Sequence, residues 1–274
     1  MNKASSSSQS TLDTARGRLR VALDGDSSAP PLILSNSLGT TLEMWDPQVD
    51  VFARTHRVIR YDTRGHGGSL VTPGPYTFDM LGQDVLAVLD ALEFDRVACC
   101  GISMGGHTGL WLGIHAAARF DAIVVCNCAA RIGTTQAWSE RAATVRLGGA
   151  SAMQALSASA PGRWFTDAFV AANPLVVQRA QEGIAGISPE GYAACCEALA
   201  TSDLRADIAR ITTPTLLLAG EFDPVTTITD AEFMHGAIPN ARLGTVPASH
   251  LSNLEAPRAF EHAVLQFLAS ASSH

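Results

Sequence analysis

Short apolar, β-branched runs recur along the chain at Pro31 to Ser35, Arg57 to Tyr61, Arg96 to Cys100, Ala122 to Cys126, Thr215 to Ala219 and Ala241 to Val246. Such runs are apolar on both faces of the strand, which suits a mostly parallel sheet covered on both sides by helices. Helical patterns separate them. Thr77 is placed to cap a helix whose apolar positions Phe78, Leu81, Val85, Val88, Leu89 and Leu92 keep three-to-four spacing, the pattern of a crossover helix. The segment Arg18 to Gly25 carries weaker periodicity and is expected to add a hairpin or edge strand ahead of the parallel set. After Cys128 the alternation stops. From 131 to 210 the chain is alanine-rich and helix-like, with Trp138, Trp164, Phe165 and Tyr192 interspersed, and strand character returns only at Thr215. The expected organisation is therefore a core made of 11–130 and 211–274, a helical cap at 131–210, and a serine-rich disordered tail at 1–10. In doubly wound sheets the ligand crevice lies at the carboxyl ends of the strands, so a cap inserted there covers and shapes a pocket.

Composition narrows the function without naming it. The chain has 274 residues, 47% hydrophobic and 16% charged, enough for one globular unit with a sizeable core. A net charge of -7 with no basic stripe lacks the footprint of nucleic-acid binding. Neither a signal-peptide pattern nor a run of about eighteen apolar residues is present, so a cytoplasmic protein with no membrane span is expected. The six cysteines form three close pairs, Cys99/Cys100, Cys126/Cys128 and Cys195/Cys196, each inside an apolar segment, and read as reduced core residues. Adjacent residues on a strand point to opposite faces, so they do not converge on a metal, and no metal site is expected.

The chemistry starts where the run ending at Cys100 meets Gly101-Ile102-Ser103-Met104-Gly105, followed by a helix-like stretch to His115. G-x-S-x-G between a strand and a helix is the nucleophile elbow, whose glycines stand where side chains would clash. A serine hydroxyl needs a base, and the base needs an orienting acid. His250 follows the last run in a loop at the carboxyl end of the sheet, unlike the other histidines, which fall in or beside helices, in turns, or at the terminus. Past the strand Thr215 to Ala219 lie two carboxylates, Glu221 and Asp223. Asp223, fixed by Pro224, is the better candidate and resembles the G-x-x-D pattern of α/β-hydrolases. The order Ser103, Asp223, His250 is that of the α/β-hydrolase fold. Two backbone N–H donors must then hold the oxyanion. Met104, directly after the nucleophile, and Leu38, in the loop after the strand Pro31 to Ser35, are the expected pair.

Beyond the fold, the sequence resembles the 3-oxoadipate enol-lactonases over nearly its whole length after the tail. The resemblance rests on LSNSLGTTLEMWDPQV, RVIRYDTRGHGGS, GPYTFDMLGQDVLAVLDAL, CGISMGGHTGL, CNCAARIG, RWFT, GYAACCEAL with DLR after it, and ASHLSNLEAP. Two departures stand out: Cys128 where the pattern has threonine and His107 where it has an apolar residue. The resemblance implies an eight-stranded-type sheet with the cap after the sixth strand. It also implies hydrolysis of an anionic enol-lactone through an acyl-enzyme, with no cofactor, in aromatic-compound catabolism. A buried substrate carboxylate needs a local positive partner. Arg131 at the cap junction is the first candidate, Arg163 the second, and Trp138 a pocket wall. Asp62, Arg64 and His66 are expected to brace the scaffold. Rival readings keep the fold and change the substrate to that of a carboxylesterase, another lactonase, a C–C bond hydrolase or a perhydrolase. A further rival is a ligand-binding protein on the same scaffold, which has no need of a full triad.

Overall fold

The computed structural model describes residues 8–271. Its centre is one eight-stranded sheet: β1 (Ser8–Thr14), β2 (Gly17–Asp24), β3 (Pro31–Ser35), β4 (Arg57–Tyr61), β5 (Val97–Ile102), β6 (Phe120–Cys126), β7 (Thr215–Gly220) and β8 (Ala241–Val246). The spatial order is β1-β2-β4-β3-β5-β6-β7-β8. β1 pairs antiparallel with β2, β2 antiparallel with β4, and the remaining neighbours run parallel. The central runs are apolar for the reason their pattern implied: every residue of β5 and β7 is buried.

β1 corrects the expected tail. Residues 1–7 lie outside the described residues, but Ser8, Gln9 and Ser10 belong to a strand in register with Leu23, Ala22 and Val21 respectively. The hydrophobic pattern is silent there because an edge strand left largely exposed needs no apolar face; Gln9, Ser10, Thr11 and Asp13 are all exposed.

The helices are α1 (Asp46–Phe52), α2 (Phe78–Ala91), α3 (Met104–His115), α4 (Thr135–Ser159), α5 (Pro161–Trp164), α6 (Asp167–Ala172), α7 (Pro174–Ala185), α8 (Pro189–Thr201), α9 (Ile228–Ala237), α10 (Ser252–Glu255) and α11 (Pro257–Ala271). The Thr77 side chain accepts from the Met80 N–H and starts α2 as its N-cap. Helices cover both faces of the sheet: α1 packs on α11, and α2 on α3.

Helices α4 to α8 lie between β6 and β7 and form a separate layer in which α4 packs against α7 and α8. Gly149, at φ 54°, bends α4 into two arms. The layer is tied to the sheet domain at several points. Leu204 N–H donates to the Ala130 carbonyl (2.9 Å), clasping the two chain segments that enter and leave it. Gly191 at the start of α8 lies so close to Gly65 that a Cβ on Gly191 would stand 2.0 Å from the Gly65 oxygen. Gly74 N–H donates to Glu190 Oε1 (2.8 Å). The buried ring of His107, on α3, joins both ends of the insertion: its Nδ1 meets the Ala129 carbonyl at 2.9 Å and its Nε2 the Ser202 hydroxyl at 2.8 Å. The departure from an apolar residue at 107 thus has a structural partner on each side.

Candidate active site

The order β4-β3-β5-β6 means that successive parallel strands leave the centre of the sheet in opposite directions, so the loops after β3 and β5 lie side by side at the switch point. Ser35 is in register with Gly101. This adjacency brings the loop carrying Leu38 next to the turn carrying Ser103.

Ser103 sits at φ 56°, ψ −117°, a conformation that costs a non-glycine residue about 1–3 kcal/mol and persists where its surroundings fix it. The surroundings are visible. Ser103 N–H donates to the Cys126 carbonyl (2.9 Å), and its own carbonyl accepts from His107 N–H (2.8 Å), opening α3. A Cβ on Gly101 would meet the Gly105 oxygen at 2.3 Å, and one on Gly105 the Ser35 oxygen at 2.1 Å. The two glycines therefore let strand, turn and helix close on one another, and the serine is left at the top of the sheet.

Asp223 and His250 come together as the sequence order anticipated: His250 Nδ1 lies 2.8 Å from Asp223 Oδ2, with both side chains almost fully buried. The carboxylate is held by further donors. Oδ1 accepts from the N–H groups of Val225 (2.7 Å) and Thr226 (3.1 Å), and Oδ2 from the Thr226 hydroxyl (2.8 Å) and Asn127 Nδ2 (3.0 Å). Burial pushes the Asp223 carboxyl up, but His250 and these donors outweigh it, and the group lies below its ordinary value. Glu221 is exposed and accepts from the Thr245 hydroxyl, away from the histidine.

Asn127 is the residue that motif reading passed over. It sits directly after β6 at φ 45° and also donates to the Ser249 carbonyl (3.1 Å), one residue before the histidine, while its Oδ1 accepts from Ser252. The available signal was its position, a carboxamide at the carboxyl end of a central strand within CNCAARIG.

The loop after β3 is braced from beneath. Thr40 N–H donates to the Ser37 carbonyl (3.2 Å), and Gly39 N–H donates to His66 Nε2 (3.1 Å). Burial drives the His66 pKa down to about 4, so its ring is neutral and free to accept. Asp62 accepts from Leu42 N–H and Gly68 N–H, and Arg64 forms a two-point pair with buried Asp84. All three residues therefore hold scaffold, as expected. Among the described residues, no hydrogen-bond partner occupies the backbone N–H of Leu38 or of Met104.

Ser103 and His250 line a cavity of about 190 Å³ between the sheet domain and the helical layer, with Leu38, Trp138, Arg163 and Tyr192 among its walls. Trp138 is fixed by donating from Nε1 to the Ile132 carbonyl (2.6 Å). Arg131 is a correction: it does not line the cavity. Its side chain points to Asp203 (3.4 Å) and Thr135 (3.4 Å), where it spans the base of the insertion. A cation that does line the cavity is Arg141, on α4, with its guanidinium 4.9 Å from the Trp138 ring centroid. All six cysteines are buried and unpaired, no group of His, Cys, Asp and Glu among the described residues is arranged to hold a metal ion, and no described helix is long and apolar enough to cross a membrane.

Comparison with known proteins agrees with this geometry. The family model for the alpha/beta hydrolase fold matches residues 30–257. 3-oxoadipate enol-lactonase 2 of Acinetobacter baylyi is 47% identical over 254 residues, covering 93% of this chain and 94% of that protein. 3-oxoadipate enol-lactonase 1 of the same organism is 47% identical over 242 residues, covering 88% and 90%. Among solved structures, the enol-lactonase from Burkholderia xenovorans LB400 superposes with a TM-score of 0.92 at 39% identity, covering 95% of this chain and all of that one. A hydrolase from Pseudomonas aeruginosa PA01 gives 0.91 at 44%, covering 97% and 99%. An elbow serine, a buried aspartate–histidine pair and near full-length kinship lead to one conclusion: this chain is an ester-hydrolysing enzyme of the α/β-hydrolase family and belongs with the 3-oxoadipate enol-lactonases.

Proposed function

We propose that the enzyme opens the ring ester of 3-oxoadipate enol-lactone to 3-oxoadipate through an acyl-enzyme on Ser103, in the β-ketoadipate route of aromatic-compound catabolism. The observation that carries this reading is a cavity that joins the serine and histidine to two arginines that form no ion pair among the described residues, a site suited to an ester that bears a negative charge.

His250 takes the Ser103 proton as Oγ attacks the lactone carbonyl, and Asp223 holds the imidazole in the tautomer this requires. The N–H groups of Leu38 and Met104 receive the oxyanion, an arrangement worth about 10²- to 10³-fold per donor in comparable enzymes. The ring oxygen then leaves, and water activated by His250 releases the product. No cofactor or metal takes part. Arg163, with Arg141 in the place first expected of Arg131, pairs with the substrate carboxylate, and Trp138 forms a wall. Six buried thiols fit a reducing compartment, and the cytoplasm is the proposed location.

The test is loss of enol-lactone ultraviolet absorbance with purified protein. Wild type is expected to turn the lactone over and Ser103→Ala to lose nearly all activity. Turnover of simple esters without turnover of the lactone would sink the reading.

A further inference from the structure

Arg141 and Arg163 share the cavity, and neither forms an ion pair with a carboxylate among the described residues. Both are held in place instead. Arg163 Nη1 donates to the Ser159 carbonyl (3.3 Å) and hydroxyl (3.1 Å). Arg141 lies over the Trp138 ring, its guanidinium 4.9 Å from the ring centroid. Burial and then the charge of Arg141 push the Arg163 pKa down, only partly offset by Tyr192, in keeping with two cations that line one cavity. Two guanidinium groups lining one cavity are more positive charge than one carboxylate requires, since a single arginine fork already matches a carboxylate in two-point fashion.

The reaction supplies a second negative charge, and substrate connectivity places it beside the first. The lactone of 3-oxoadipate joins the C3 enol oxygen to the C6 carboxyl in a five-membered ring. The C1 carboxylate therefore hangs by one methylene from the carbon that bears the ring oxygen. A site that grips the carboxylate must hold the leaving oxygen next to it. We infer that the Arg141–Arg163 pair acts in ring opening as well as in binding, one guanidinium taking the carboxylate while the other takes the charge that develops on the enol oxygen. This rests on the substrate reading given above.

In the step itself, the bond from Ser103 Oγ to the lactone carbonyl carbon forms and the Oγ proton passes to His250. The bond between that carbon and the ring oxygen then breaks, and its electron pair stays on the ring oxygen as an enolate. The arginine pair holds that charge until the His250 imidazolium returns its proton to the enolate, which settles as the 3-oxo group. Water in the second half-reaction completes the balance.

The experiment separates binding from ring opening. Single-turnover rates, with enzyme in excess and saturating, are followed by loss of enol-lactone absorbance for two probes: the acid lactone, and α-angelica lactone, in which a methyl replaces the carboxymethyl group. Arg141→Gln, Arg163→Gln and Arg163→Lys are compared with wild type, each first shown to have full Ser103 titration by a sulfonyl fluoride. Ring opening is expected to slow about 10- to 100-fold in the glutamine variants for both lactones, with most of the rate recovered in Arg163→Lys. Weaker binding of the acid lactone, with ring-opening rates of both lactones within twofold of wild type, would overturn the inference and leave the substrate reading standing. So would a lysine variant as slow as the glutamine one. Failure of wild type to open the acid lactone would instead remove the substrate reading on which the inference rests.

Discussion

One carboxylate, Asp223, gathers donors from three places in the chain: its own turn at Val225 and Thr226, the end of β6 at Asn127, and His250. A buried acid so surrounded stays charged, and its value is to keep the imidazole turned correctly. Asp223→Asn keeps the shape and loses that control; kcat is expected to fall about 10⁴-fold, as for the equivalent change in other serine hydrolases, with KM little changed. Asn127 acts one step removed, positioning both the acid and the Ser249 carbonyl. Asn127→Ala should lower kcat about tenfold with KM preserved. A variant whose KM rises instead would assign it to substrate. Arg131, first expected at the substrate carboxylate from its place at the cap junction, has its side chain on Asp203 and Thr135. Arg131→Ala should leave the KM for the acid lactone near that of wild type, whereas Arg163→Ala should raise it. A rise with Arg131→Ala as large as with Arg163→Ala would restore Arg131 to the site.

Elements explain how parts distant in sequence stay in register. The histidine loop is docked on the cap: Leu251 N–H donates to the Trp164 carbonyl (3.0 Å), and Glu255 of α10 accepts from Ser249 N–H (2.8 Å) and Thr166 N–H (3.2 Å). A displacement of α5 or α6 would therefore be passed to the loop that carries His250. On the other side of the cap, α8 rests on the loop after β4 at the Gly65–Gly191 contact, where no Cβ fits on either partner. Gly191→Ala must push backbone from backbone, because the obstructing atom is a main-chain oxygen rather than a flexible side chain. We expect a loss of about 1–3 kcal/mol in a denaturant titration, accompanied by lower activity. A variant as stable as wild type would show that the cap tolerates displacement there.

At the scale of the molecule, two histidines are buried in neutral form. Burial drives the pKa of both His66 and His107 down to about 4, only partly offset at His107 by the Ala129 carbonyl and the charge of Asp203. In the unfolded chain a histidine titrates near 6.5. Between about pH 6.5 and pH 4 the unfolded state therefore binds more protons than the folded one, and stability falls as the pH is lowered through that window, by on the order of 3 kcal/mol for each group at its limit. More than about one pH unit above 6.5 neither contributes a slope. The melting temperature should accordingly drop between pH 7 and pH 5, and His107→Gln should flatten part of that drop. An unchanged slope in the variant would show that the titration lies elsewhere.

Local chemistry made several things legible in the sequence alone. Unbroken apolar runs give central strands because both faces of a parallel sheet are covered. Pro31–Ser35, Arg57–Tyr61 and Ala241–Val246 appear with the bounds the pattern implied. The elbow glycines and the order of Ser103, Asp223 and His250 are likewise local signals, each written in a few adjacent residues. Tertiary structure decided the rest. β1 is a strand through its pairing with β2, without an apolar pattern of its own. Asn127 matters through the Asp223 side chain, in the turn after β7, and the Ser249 carbonyl of the histidine loop. Which arginine lines the cavity depends on how the cap is seated, so Arg131 turns to Asp203 while Arg141 and Arg163 line the cavity wall. Side-chain direction over such distances is set by packing between elements, and spacing along the chain carries no record of it.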